Sequence, residues 1–353
     1  MPERAPQASY QRSPLRVAVL CHRHHLGGHQ GHIYDALARR FALTLVVVEE
    51  DGWPQRLSDL PEGGEFDAIL WRVRSQELRH RPPFDWQAYP GPRIMLDHDT
   101  CCSYMQIAPG SDTLGMWPPM IDRQGFDLVL VSGKRVCELL RDDGVPAVWM
   151  PKAYAVDWLF DTGADRGGIG YYGSPYPARR AMLDHLDRSS VAVRRFQCPE
   201  SELNDHLNRC LGVIICNMGV PIESGDEVNR HFPERANGFT LAPEAMLKNF
   251  EVAATGTAPF CDPTPDLADL GFLDGHTAVV YSTFDDLADR LHDYLNQPDQ
   301  LREIGHRAAD LVRQRHTWDH RVTFLEKLLH NPDPATAELS WDLATSRIQG
   351  EDP

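Results

Sequence analysis

The feature that most constrains this chain is a pair of successive series of short runs that are apolar on both faces. LRVAVLC (15–21), LTLVVVE (43–49), FDAILWR (66–72), RIMLD (93–97), FDLVLVS (126–132) and AVWMP (147–151) make the first series. IGYYG (169–173), VAVRRF (191–196), LGVIICN (211–217), TAPFCD (257–262) and AVVY (278–281) make the second. A strand with one solvated face alternates polar and apolar residues. Strands that are apolar throughout belong to a parallel sheet with helices packed on both sides. Helical patterns lie between most of the runs, and the Gly/Asp-rich DTGADRGG (161–168) separates the two series. The expected fold class is therefore α/β, with two Rossmann-like domains, each built on a parallel sheet.

The chain has 353 residues, above the size at which one hydrophobic core usually stops growing, which agrees with two domains. Residues 1–13, polar with two prolines, read as a disordered arm, 14–155 as the N-terminal domain and 156–316 as the C-terminal domain. Residues 317–335 read as a final helix, and 336–353 as a tail. Residues 218–240 have no clear period and are expected to form a long polar loop, and Arg74–Pro92 a loop at the cleft.

Charge and composition exclude several classes. The net charge of -16 opposes a large phosphate-tracking surface, so nucleic acid is not an expected partner. No stretch approaches the ~20 apolar residues needed to cross a bilayer, and the first residues lack a signal-peptide core. A cytoplasmic location is expected. The cysteines show no CxxC spacing and read as small buried hydrophobes.

In an open parallel sheet, ligands sit beyond the carboxyl ends of the strands, where helix N-termini offer unpaired N–H groups. Three loops fit that place. In CHRHHLGGHQGHIYDAL (21–37), Gly27 and Gly28 let backbone approach a ligand, and the following helix adds its positive end. The spacing is not GxGxxG, so dinucleotide redox chemistry gains little support. In GYYGSPYPARR (170–180), Gly173 and Ser174 end a strand, Pro177 suits a helix start, and Arg179 in the first turn suits a diphosphate. In APEAMLKNFEVAATGTAPFCD (242–262), Pro243 suits a first helical turn. There Glu244, Lys248 and Glu251 fall at i, i+4 and i+7, on one face of an otherwise apolar helix. Buried charges of this kind need a partner, which a sugar and a diphosphate would provide.

His22, His24, His25, His29 and His32 crowd the first loop. A zinc site is conceivable, but no CxxC or HExxH accompanies them, and no metal ligand is assigned. Trp86, Tyr89 and Trp117 lie in proline-rich loops and are acceptor-site candidates, whereas Phe126, Trp149, Trp158 and Trp318 sit in periodic apolar contexts and read as core.

The three loops, in this order, resemble the group 1 (family-4-type) glycosyltransferases, and more closely their CgeB-like branch. The resemblance is strongest over 169–330. It rests on GSPYPAR, on KNFEVAATGTAPFCD with its "FE…A…G" pattern, and on HTWDHR (316–321). It implies the GT-B arrangement: two facing Rossmann-like domains with a C-terminal helix crossing back to the first. It also implies transfer of a sugar from a nucleoside-diphosphate donor, UDP- or GDP-linked, without a metal or other cofactor and with retention of configuration, to a small-molecule or glycan acceptor. A homodimer is compatible with it. The resemblance puts Glu251 on the donor ribose, Arg179 and Lys248 on the diphosphate, and His98 beside the transferred sugar. Gly27 and Gly28 would close over the donor, and Glu244, Asn249, Gly173 and Ser174 fall within the same donor motifs. Glu244 lies one place from the family's usual acidic position. For an inverting reaction, His29, Asp97 and Asp99 are candidate bases. A sugar-nucleotide epimerase or hydrolase of the same fold, and a non-catalytic nucleotide-sugar binder, remain alternative readings.

Overall fold

A computed structural model describes residues 14–49, 52–98, 116–218 and 235–333. The first half runs β1 (Arg16–Cys21), α1 (Gly28–Arg40), β2 (Ala42–Val47), β3 (Ala68–Arg72), α2 (Ser75–Leu78), β4 (Arg93–Asp97), α3 (Trp117–Gln124), β5 (Leu128–Val131), α4 (Lys134–Asp142) and β6 (Ala147–Trp149). The second half runs β7 (Ile169–Tyr172), α5 (Pro177–Arg188), β8 (Val193–Phe196), α6 (Glu200–Asn208), β9 (Gly212–Ile215) and a small hairpin of β10 (Arg235–Ala236) and β11 (Phe239–Thr240). It continues with α7 (Leu247–Ala254), β12 (Ala258–Cys261), β13 (Val279–Val280), α8 (Phe284–Leu295), α9 (Pro298–Arg315) and α10 (Trp318–His330).

Every run read as a strand forms one, trimmed by a residue or two at its ends. The first sheet has the order β2-β1-β3-β4-β5-β6 and the second β13-β12-β9-β7-β8, and all of these pairings are parallel. Both sheets reverse direction of winding beside their first strand, between β1 and β3 and between β7 and β9. Such a switch point opens a crevice at the carboxyl ends of the strands. The fully buried strands β3, β5, β7, β9 and β12 explain why these segments lack alternation.

The last helix crosses back. The apolar face of α10, Trp318, Val322, Leu325 and Leu328, joins the core formed by β1 and by Ile33 and Leu37 of α1. Arg39 forks onto Asp319 at 2.9 and 3.0 Å. Thr317 caps the helix in a capping box with His320. At the base of α10 the fully buried Arg321 donates to the carbonyls of Pro151 (2.7 Å), Lys152 (3.0 Å) and Arg315 (2.9 Å) and to His316 Nδ1 (2.8 Å). The arginine and histidine of HTWDHR thus tie the crossing segment to the strand end after β6.

Within Arg74–Pro92, read as a loop, Ser75–Leu78 forms the short helix α2. Two further expectations fail here. Pro243 and Glu244 are not helical; α7 begins only at Leu247. The backbone before it is instead pinned in a turn, with Asp266 accepting from Ala245 N (2.9 Å) and Asn217 from Met246 N (3.2 Å). The second concerns 218–240, whose end holds the β10–β11 hairpin in place of continuous loop.

Candidate active site

A cavity of about 560 Å3 lies between the carboxyl ends of the two sheets. From the first sheet it is lined by His25, His29, Arg72, Arg74, Asp97 and His98, together with Lys152. From the second come Gly173, Ser174, Gln197, Glu200, Lys248 and Glu251, and Trp158 and Trp318 complete the wall.

On the second-sheet side, Glu251 is buried and accepts from the Tyr172 hydroxyl at 2.6 Å. Burial raises its carboxyl above the ordinary range, and the tyrosine and Lys248 partly oppose that rise. Lys248 stands one turn earlier on α7 and donates to the Tyr172 carbonyl, with its ammonium 4.2 Å from the centre of the Tyr172 ring. Burial, followed by the field of Arg179, lowers its pKa to about 8. Gly173 is required where it stands: its φ is +98, and a Cβ there would collide with the Lys248 amine.

Arg179 and Asn249 do not line the cavity. Arg179 is buried beneath the loop, donating to the carbonyls of Cys216 (3.2 Å) and Ser174 (3.3 Å). It therefore shapes the Ser174 turn and adds positive field to Lys248. Asn249 faces inward, donating to Met246 O (2.9 Å) and Asn217 (3.2 Å). Both were expected on the ligand. Their sequence neighbourhood is right, but the direction of their side chains is not visible in a one-dimensional pattern.

Glu244 is the clearest departure. It lies outside the helix face shared by Lys248 and Glu251, and it crosses to the other half of the molecule. It pairs with Lys152 at 2.9 Å and accepts from the Ser132 hydroxyl. With both oxygens so engaged, it is a bridge between the two halves.

On the first-sheet side, His98 follows β4, with its ring centre 5.2 Å from that of Trp318 in a tilted contact. Its Nε2 is buried with no hydrogen-bond partner, and desolvation beside Arg72 and Lys152 keeps the ring neutral. Asp99 lies outside the described residues. His29 lines the cavity with Nδ1 3.7 Å from Glu200 Oε1. Gly27 caps α1, and Gly28 follows at φ +60, where a Cβ would collide with the Glu200 carboxylate. The glycine loop thus abuts α6 across the cleft, although neither glycine lines the cavity itself.

Among the described residues no three His, Cys, Asp or Glu side chains converge as metal ligands would. The histidines of the first loop pack on one another, with His22 stacked on His24 at 5.3 Å and His25 edge-on to His24 at 4.2 Å.

The aromatic assignments are partly reversed. Trp86 and Trp117 are buried in the first core, with Trp86 Nε1 donating to Gln124 O at 2.6 Å, and Tyr89 donates to Phe66 O. Trp318 is core as expected and Trp158 packs against the core, and both also line the cavity. Phe126 and Trp149 are core as expected. Phe196 and Tyr172, stacked at 5.8 Å, were not singled out by sequence. Arg72 and Lys152 were missed too, because a charged residue at a strand end carries no periodic signal.

These positions can be set beside known proteins. Residues 172–327 match the family model described as glycosyl transferase-like. The structure superposes on sucrose-phosphate synthase from Thermosynechococcus elongatus with a TM-score of 0.60 at 12% identity, covering 91% of this chain and all of that one. The fold is GT-B. Anabaena HepE, solved with UDP and glucose, gives a TM-score of 0.59 at 10% identity over 90% of this chain and 100% of that one. TarM, at 0.51 and 8% identity, covers 74% of this chain and 54% of its own. No curated protein sequence matches the chain at a significant level. The family match covers the half holding Gly173, Lys248 and Glu251, and the GT-B likeness covers both halves. None of the helices among the described residues is long and apolar enough to cross a membrane.

Proposed function

We propose that this chain is a cytoplasmic glycosyltransferase that moves a sugar from a nucleoside-diphosphate donor, UDP- or GDP-linked, to a small-molecule or glycan acceptor. The observation that carries this is the Lys248–Glu251 pair. An ammonium and a carboxylate, one turn apart on α7, face the Gly173–Ser174 strand end on one wall of an inter-sheet cavity. The family match spans that wall.

The donor reading assigns roles as follows. The buried carboxylate of Glu251, already oriented by Tyr172, accepts from ribose hydroxyls. Lys248 and the backbone around Ser174 meet the diphosphate, with Arg179 reinforcing the field from beneath. As the anomeric C–O bond breaks, its electron pair leaves with the phosphate. A fixed cation in a partly dehydrated site stabilises that charge, which is usually the largest catalytic contribution. The acceptor oxygen then bonds the anomeric carbon and passes its proton to the departing phosphate oxygen. His98, neutral and with an unpaired ring nitrogen, is placed to hydrogen-bond a hydroxyl of the sugar without adding charge beside an oxocarbenium-like centre. The donor cations are side chains, so the reading includes metal independence and, with the family-4-type resemblance, retention. The CgeB-like branch remains the finer assignment.

Titration calorimetry of the purified chain with UDP and GDP tests the donor reading. One should bind, with affinity unchanged by EDTA, and Lys248→Met should abolish or strongly weaken it. If neither nucleotide binds, the assignment fails. A chain that consumes the donor at full rate without acceptor is a hydrolase or epimerase.

A further inference from the structure

Arg72 ends β3 and lines the cavity opposite the donor wall. The residue is only 7% exposed. Its Nη1 donates to the Tyr34 hydroxyl at 2.7 Å and, at the 3.5 Å limit, to the His25 carbonyl. The guanidinium lies 5.0 Å from the centre of the Tyr34 ring. No carboxylate comes within ion-pair distance of it among the described residues, and Nε and Nη2 have no partner there. A buried cation normally carries an anionic partner, because desolvating a charge is costly. This one has only neutral oxygens as partners and lines the cavity.

The surroundings reinforce the asymmetry. His25 and His98, beside Arg72, are both held neutral, and Arg72 is among the causes in each case. Lys152 adds to the positive field on His98 but is itself paired with Glu244. Asp97, the one carboxylate on this wall, accepts from Ser75 N at 3.4 Å. Its strand neighbour Met95 packs in the core on the sheet face away from Tyr34, whereas Leu70, two residues before Arg72, packs with Tyr34. Asp97 is therefore not the counter-ion of Arg72. All this sits in a chain whose net charge is -16, so a buried unpaired arginine is not a by-product of a basic surface.

We infer that Arg72 is an anion-recognition residue of the acceptor subsite, and that the acceptor is an acid-bearing sugar or small molecule whose phosphate or carboxylate is received by the free edge of its guanidinium. A planar fork of donors matches either anion in a bidentate manner. The inference rests on the donor reading only in naming the opposite wall as the acceptor side.

The test uses the full chain loaded with UDP, titrated calorimetrically with glucose, glucose 6-phosphate, glucuronate and inorganic phosphate. At least one acid should bind while glucose does not, and phosphate against glucuronate separates the two anion sources. Arg72→Gln should weaken that acid by about tenfold to a hundredfold, as expected for loss of a charge-assisted bidentate contact, and should leave UDP affinity unchanged. Arg72→Lys keeps the charge, loses the fork, and should fall between the two. Thermal melting and UDP binding report on folding of each variant. The inference is overturned if none of the acids binds the wild-type chain or if Arg72→Gln binds them as wild type does. It is likewise overturned if the substitution removes UDP binding instead, which would place Arg72 on the donor. Should the wild-type chain bind GDP in place of UDP, GDP is used for loading; should it bind neither, the donor reading fails separately, and the acid titrations are read on the unloaded chain.

Discussion

Raising the pH through 8 should weaken donor binding, with a slope set by Lys248. Its ammonium titrates at about 8 instead of 10.5, chiefly through burial and then through Arg179. A bound diphosphate supplies the missing counter-charge and lifts that pKa again, so the complex keeps a proton that the free protein gives up. The sign follows: above pH 8 binding takes up a proton, and affinity falls as pH rises. If only the charged lysine binds, affinity drops by about 1.3-fold at pH 7.5 and about 11-fold at pH 9 from its limiting value, roughly an eightfold loss between them. UDP is the probe, because its terminal phosphate is already ionised over that range. Calorimetry in buffers of different ionisation enthalpy reads both the affinity and the proton uptake. Lys248→Met should cost about 10- to 100-fold in affinity at pH 7.5, the worth of one charge-assisted hydrogen bond, and should flatten the profile. A wild-type affinity that stays constant from pH 7.5 to 9 would refute this reasoning, as would a methionine variant that binds UDP normally.

Other substitutions probe separate parts of the site. Glu251→Ala should weaken UDP by about tenfold and leave pyrophosphate unaffected, because the carboxylate is assigned to the ribose; competition calorimetry with the two ligands decides it. Gly28→Ala should lower the melting temperature, since the residue sits at φ +60 and its new Cβ meets Glu200. Adding Glu200→Ala should recover the part due to collision but not the roughly 1 kcal/mol due to backbone strain. Arg321→Met strips hydrogen bonds from the carbonyls of Pro151, Lys152 and Arg315 at once. Its cost, about 3 kcal/mol after relief of the buried guanidinium, should appear as a lowered denaturant midpoint; an unchanged midpoint would mean those carbonyls find other donors.

The fold was legible because burial on both faces of a strand writes itself into consecutive residues. VAVLC, AILWR, LVLV and VIIC need no context to be read, and neither do helix spacings such as Leu287 with Leu291. Gly173, Lys248 and Glu251 were legible for a related reason: strand end and helix start are local features. What failed was non-local. Glu244 has the spacing of a helical face, but hydrogen bonds from Ala245 to Asp266 and from Met246 to Asn217 delay the helix until Leu247. Those partners lie more than twenty positions away. Trp158 and Trp318 carry apolar periodicity and pack with the cores, yet both also border the cavity, because the segment after β6 and the start of α10 contribute to its wall. Trp86 and Trp117 sit among prolines and yet fill the core. Neither placement has a local signature.

The displaced Glu244 also explains how the cavity divides its charge. Had it stayed on the α7 face with Lys248, the ammonium would carry a permanent partner, and its pKa would not be depressed. Instead Glu244 turns toward the first half, where it pairs with Lys152 and accepts from Ser132. Lys152 is thereby tied down in the cavity wall, while Lys248 has no carboxylate within ion-pair distance among the described residues and Glu251 accepts from Tyr172. One buried carboxylate thus joins the two halves and leaves a cation available on each facing wall, Lys248 on one and Arg72 on the other. Glu244→Gln should therefore do more than weaken the interface: with Lys152 released, anion binding should lose selectivity between the two walls. The readout is UDP binding in Lys248→Met against Glu244→Gln/Lys248→Met. If Lys152 is restrained by Glu244 alone, the double variant recovers part of the affinity that the single variant loses. Equal affinities would show that Lys152 is held in place by the surrounding fold, and the division of charge would need another cause.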